Sequence, residues 1–197
     1  MSSQTSSQMS LHLVFGERSW SRRRFVSTLA ALAAASTLVD LIPRAAWAQA
    51  PAWKEYRNND MGFRVEMPGV PKVEEQNGDA SDPFIRTVEA QVELNDMLLG
   101  VHCTENRAAM SVEEQYKQQR EGMVLGGMPV TREEARTVSG NPAREFIRES
   151  GDLNYIYRVV NVGKRSIAVS VFGEKNIHGN PTVRRFLDSL TLLQGGR

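Results

Sequence analysis

The sequence predicts an α+β fold, an antiparallel β-sheet of about six to eight strands covered by two helices. Three observations carry that expectation. Between Phe84 and Leu94 side chains alternate, with Ile85, Thr87, Glu89, Gln91 and Glu93 on one side and Val88, Ala90, Val92 and Leu94 on the other. That is the period of a strand with one buried and one solvated face. Two other stretches carry helix-start signals in place of alternation. A single cysteine in 197 residues, with 41% hydrophobic residues, means that a packed core must hold the fold without a disulfide framework.

In chain order, the first 48 residues read as a leader. A polar start gives way to Ser21-Arg22-Arg23-Arg24-Phe25, then to an Ala- and Leu-rich run over Leu29–Val39, then to Pro43, Arg44 and Ala46-Trp47-Ala48. A charged segment, a short apolar segment and a small-x-small site are the parts of an export signal. The apolar run is about half of the ~20 residues that a bilayer-spanning helix needs. Ser21 through Phe25 resembles the twin-arginine (Tat) export motif, with Arg22 and Arg23 as its arginine pair and Phe25 at its aromatic position. Val26 stands where that motif usually has Leu, and Ser27 where it often has Lys. The resemblance implies export of a folded chain by the Tat machinery. Cleavage is expected after Ala48, with Ala46 and Ala48 as the small residues and Gln49 as the new terminus. A cut after Ala50 would place Pro51, whose φ is fixed, beside the scissile bond. The expected organisation is a signal peptide over 1–48 and one domain over 49–197, located in the periplasm and without stable membrane insertion after cleavage.

The domain begins with short strands at Trp53–Arg57 and Gly62–Met67, separated by the turn cluster Asn58-Asn59-Asp60-Met61. Strands at Lys72–Gln76, Phe84–Leu94 and Met97–Thr104 follow. Ser111-Val112-Glu113-Glu114 fits a capping box and opens a helix to about Val124, with Val112, Tyr116 and Met123 toward the core and Gly126-Gly127 as its stop. Four strands come next, at Val130–Val138, Ala143–Ser150, Leu153–Val162 and Ser166–Phe172. The third is apolar on both faces apart from Arg158 and its Asn residues, which places it inside the sheet. Asn180-Pro181 starts the last helix, and Val183, Phe186, Leu187 and Leu190 form one apolar stripe.

This order resembles the PsbP-like fold, on Gly62-Phe63-Arg64-Val65-Glu66-Met67-Pro68, Ser139-Gly140-Asn141-Pro142-Ala143-Arg144-Glu145 and Phe186-Leu187-Asp188-Ser189-Leu190. The resemblance implies a structural scaffold whose relatives act through protein contacts.

Chemistry is sparse. The leader carries five Arg against Glu17 and Asp40, a net +3, leaving residues 49–197 at −2, which excludes a nucleic-acid binder relying on phosphate neutralisation. No nucleophile elbow, zinc-protease helix, phosphate loop or dinucleotide fingerprint is present. His102 and Cys103 are adjacent on a strand and leave opposite faces, which predicts an exposed His and a buried Cys. His178 sits in a loop before the last helix. The acidic run Glu74–Asp82 offers oxygen ligands without EF-hand spacing. The charged residues of 132–136 and 144–149 read as cross-strand pairs on a solvated face. The predicted function is therefore an exported, non-catalytic module that binds another envelope protein or assists assembly, without catalytic residues, cofactor, metal or nucleic acid. The alternatives are a small-ligand or metal-binding protein, or a hydrolase using His102 or His178.

Overall fold

The computed structural model describes residues 52–125, 129–149, 154–174 and 177–193. The leader, with Ser21, Arg22, Arg23, Phe25, Ala46 and Ala48, and the expected new terminus Gln49 lie outside these residues, as does the Gly126-Gly127 stop.

Among the described residues, ten strands and two helices follow in chain order. The strands are β1 (Lys54–Asn58), β2 (Phe63–Met67), β3 (Lys72–Asn77), β4 (Phe84–Leu94), β5 (Met97–Asn106), β6 (Arg132–Val138), β7 (Asn141–Arg148), β8 (Asn154–Val162), β9 (Arg165–Gly173) and β10 (Thr191–Leu192). Helix α1 (Val112–Leu125) falls between β5 and β6, and α2 (Pro181–Asp188) between β9 and β10. The fold is α+β, and every strand pair is antiparallel. Seven strands form one sheet in the order β3-β4-β5-β9-β8-β7-β6, and β1-β2-β10 form a second. The small sheet is an addition to the expected architecture. Its third strand has only two residues, pairing Thr191 with Arg64 and Leu192 with Phe63, too short to leave a period in the sequence.

The sheet order follows from composition. Strands β8 and β9, rich in Val, Ile and aromatic residues and buried along most of their length, lie inside the large sheet, and so does β5, with Leu99, Val101 and Cys103 buried. Strand β3, with Lys72, Glu74 and Glu75, is an edge on which all six residues are exposed, charges that discourage pairing with another chain. The β6–β7 hairpin turns through Ser139 (φ 48°) and Gly140 (φ 80°), the paired positive φ values that a two-residue turn requires.

Alternation sorts the sheet's side chains onto two faces. On one, Val88, Leu99, Val101, Ile156, Val160, Val169 and Val171 pack with Phe63, Val65 and Met67 of the small sheet and with Val183, Phe186 and Leu187 of α2. On the other, Phe146, Tyr155, Val159 and Ala168 pack with Tyr116 and Met123 of α1. The last helix stops at Asp188, with Ser189 as its C-cap, so Leu190 is buried from outside the helix. Val112, expected in the core, is 39% exposed, because the buried residues of α1 begin only at Gln115.

Candidate functional site

The densest polar construction lies where β6, β7 and β8 meet α2. Glu145 of β7 stands opposite Arg158 of β8 and Glu134 of β6. Two carboxylates facing one another across a ladder repel unless cations intervene. They do. Arg158 Nε donates to Glu145 Oε2 at 2.7 Å, and its Nη2 lies 2.6 Å from the same oxygen. Arg136 Nη2 donates to Glu145 Oε1 at 3.2 Å and also to Glu134 Oε2. Arg184 of α2 adds a third cation, 3.6 Å from Glu145 Oε1.

Arg158 also ties the sheet to the end of α2. Its Nη1 donates to the Leu187 carbonyl at 3.0 Å and to Asp188 Oδ1 at 2.7 Å. The last carbonyls of a helix lack intrahelical partners and carry the negative end of its dipole, so a buried guanidinium there satisfies both.

Glu145 has no exposed surface and Arg158 only 6%. The expectation of a solvated charged face is corrected here. The charges do alternate along these strands, but α2 lies over this part of the face. The signal that could have revealed it was Arg158, a lone cation in an otherwise apolar interior strand. Burial by itself would raise the Glu145 pKa, but the charges and hydrogen bonds of Arg158 and Arg136 outweigh it and hold the carboxyl below its ordinary range. Burial likewise opposes the charge of Arg136, and Glu145 with Glu134 more than restores it.

His178 sits at the rim of this cluster, in a one-turn 3-10 segment (Ile177–Gly179) ahead of α2. Its carbonyl accepts from Arg184 Nε at 2.9 Å, and its Nε2 lies 3.3 Å from Glu149 Oε1. Neither ring nitrogen meets hydrogen-bond geometry with a protein partner. Burial lowers its pKa, Glu149 opposes that, and Arg132 and Arg184 reinforce it.

The other sequence candidates do not join this cluster. His102 and Cys103 leave opposite faces as expected, and Cys103 is fully buried. Its thiol is pushed up to about 12, chiefly by burial. His102 is half-buried instead of exposed, since β5 is flanked on both sides by β4 and β9. Burial lowers its pKa, against the pull of Glu89 opposite it.

Of the acidic run, Glu74 and Glu75 belong to β3, and the loop beyond it is organised by Arg107. That guanidinium donates to the carbonyls of Asp82 at 2.9 Å, Gly78 at 3.2 Å and Asp79 at 2.7 Å. A cation seeking those carbonyl oxygens would have to displace a guanidinium. Gly78 itself is required by space, because a Cβ there would lie 2.4 Å from the Phe84 carbonyl oxygen. Two shallow grooves flank the small sheet. One is lined by Glu55, Arg64, Glu66, Arg185 and Asp188, the other by Met61, Val162, Lys164, Ile167 and Leu192, and neither is lined by a histidine.

These features define a two-faced α+β scaffold with a buried ionic clamp. No family model and no curated protein matches the chain. Among solved structures it is similar to the solution structure of cyanobacterial PsbP (CyanoP) from Synechocystis sp. PCC 6803. The two share 10% identity, the match covers 72% of this chain and 93% of that one, and the TM-score is 0.47.

Proposed function

We propose that the chain is an exported, non-catalytic interaction module of the periplasm, carried by the Tat machinery and cleaved after Ala48. The observation that supports this reading is where the fold moves its titratable groups. An acid, base or nucleophile working near neutrality needs a pKa brought toward neutrality. Here the Cys103 thiol and the Tyr157 phenol are pushed up, and the Glu145 carboxyl is held down by arginines that also anchor α2. The likeness of segments 62–68, 139–145 and 186–190 to PsbP-like proteins points the same way.

His178 beside Glu149 is the arrangement that favours a second reading, a hydrolase or ligand binder. The charged groups acting on that ring are Glu149, Arg132, Arg184 and Glu145, with no hydroxyl or thiol among them.

Native mass spectrometry of the protein isolated from its own periplasm tests the proposal. The expected result is a chain beginning at Gln49, associated with a second protein chain. A tightly held small molecule or metal, or an uncleaved chain in the cytoplasm, would overturn it.

A further inference from the structure

Strand β6 ends the large sheet, and its outer edge pairs with no strand among the described residues. The hairpin fixes which backbone groups face that edge. Val138 and Asn141 flank the two-residue Ser139-Gly140 turn and form its hydrogen-bonded pair. Such pairs alternate along an antiparallel ladder, so Arg136, Glu134 and Arg132 turn their N–H and C=O groups toward β7. Glu133, Ala135 and Thr137 turn theirs outward, and Ala135 and Thr137 are exposed. Sheets usually blunt an open edge, often with lysine or proline. The edge strands β1 and β3 each open with a lysine, whereas β6 has neither residue.

The charges of β6 suit one partner, a second copy of the same strand. In an antiparallel pair centred on Ala135, Glu134 of each copy stands opposite the partner's Arg136. Glu133 stands opposite the partner's Thr137, Arg132 opposite the partner's Val138, and the Ala135 methyl groups meet on the axis. No like charges oppose one another in this register. Sliding the copies so that Glu134 or Arg136 lies on the axis brings two carboxylates or two guanidinium groups face to face. At the centre of β3 the same pairing sets Glu74 or Glu75 against itself. Strand β1 would match Glu55 with Arg57, but over five residues, and with the Tyr56 ring that packs near Phe63 on its axis.

We propose that two copies of this chain associate through β6, antiparallel about Ala135, joining two seven-stranded sheets into one continuous sheet. The outward backbone groups of Glu133, Ala135 and Thr137 bond to those of the partner, and Glu134 with Arg136 sets the register. This adds a partner to the interaction module proposed above and does not depend on it.

Sedimentation equilibrium of the protein purified from cells expressing its full gene tests this. The expected result is a dimer that Ala135→Pro converts to a monomer with an unchanged circular-dichroism spectrum. The Ala135 N–H faces away from β7, so proline there removes a bond between copies and none within the hairpin. If that variant fails to fold, Ala135→Lys keeps the backbone and places two ammonium groups on the axis, with the same loss of the dimer expected. Ala135→Cys should cross-link two copies on mild oxidation. Hydrogen-bonded partners lie about 5.5 Å apart at Cα, within the span of a disulfide, and the native Cys103 is buried. A monomer at every concentration, a dimer that survives Ala135→Lys, or an Ala135→Cys chain that does not cross-link would overturn it. Any of these would leave the binding of a different envelope protein untouched, so the two readings fail separately.

Discussion

The two helices cover opposite faces of one sheet, and they do so by different physics. Helix α2 has eight residues, too short to persist alone in water. It is held by Val183, Phe186 and Leu187, all without exposed surface, by Asn180 capping the Thr182 N–H at 2.9 Å, and by Arg158 on its last carbonyls. Helix α1 has fourteen residues and an N-cap, the Glu114 N–H donating to Ser111 Oγ at 3.2 Å. Yet it offers the sheet mainly Tyr116, Met123 and Gln119, with the Tyr116 hydroxyl donating to the Pro142 carbonyl at 3.0 Å and Gln119 Nε2 to Ser166 Oγ at 2.7 Å. Length makes α1 the better helix in isolation, whereas apolar contact makes α2 the better anchored one.

The largest effects are expected on the α2 side. Phe186→Ala should cost about 3–5 kcal/mol in urea unfolding, because it empties the centre of the larger core. Glu145→Ala should cost a similar ~3–5 kcal/mol by removing the buried counter-charge of Arg158, which keeps only the exposed Asp188 carboxylate. A variant that also replaces Arg158 and Arg136 with apolar residues should recover much of that loss, since the penalty comes from the stranded charge. If Glu145→Ala alone were neutral, the clamp would not be what holds α2.

Met123→Ala on the α1 side should cost less, about 2 kcal/mol, at the low end for removing a buried side chain. Amide hydrogen exchange should place α1 among the earlier-opening elements and α2 among the later. A Met123→Ala cost equal to that of Phe186→Ala, or matching protection in the two helices, would erase the contrast. Ser111→Ala should remove about 1 kcal/mol by uncapping α1.

A pH titration sharpens the contrast with the smallest steps. His102 and His178 both have folded pKa values below the unfolded value of about 6.5. The unfolded chain therefore binds more protons there, and stability from these groups is full above that pH and declines as the pH falls. Glu145 is depressed too, so its contribution is full above about pH 4.3 and is lost further into acid. Stability should thus fall in two phases on acidification. His102→Gln with His178→Gln should flatten the first and leave the second, and a first phase surviving in that double variant would contradict the assignment.

The strand and helix boundaries were almost entirely local information. The Phe84–Leu94 alternation, the Ser111 and Asn180 caps, the Pro181 start and the turn at Ser139-Gly140 act within a few residues, and each element stands within two or three residues of its expected place. The two-sheet arrangement was not local, since β10 exists only because the chain returns to pair with β2 from more than 120 residues away.

The clamp was half legible. Arg158 in an apolar strand was visible as an anomaly, but its partner Glu145 looked like one member of an ordinary charged alternation. Likewise Gln115 of α1 looks like a surface residue in sequence, and only the packing of the folded chain buries it. By itself the sequence determined the periods, caps and turns, because steric and hydrogen-bond preferences of neighbouring residues set those. Tertiary structure alone decided which polar side chains lost their water, because burial depends on what packs above a face, and that element lies elsewhere in the chain.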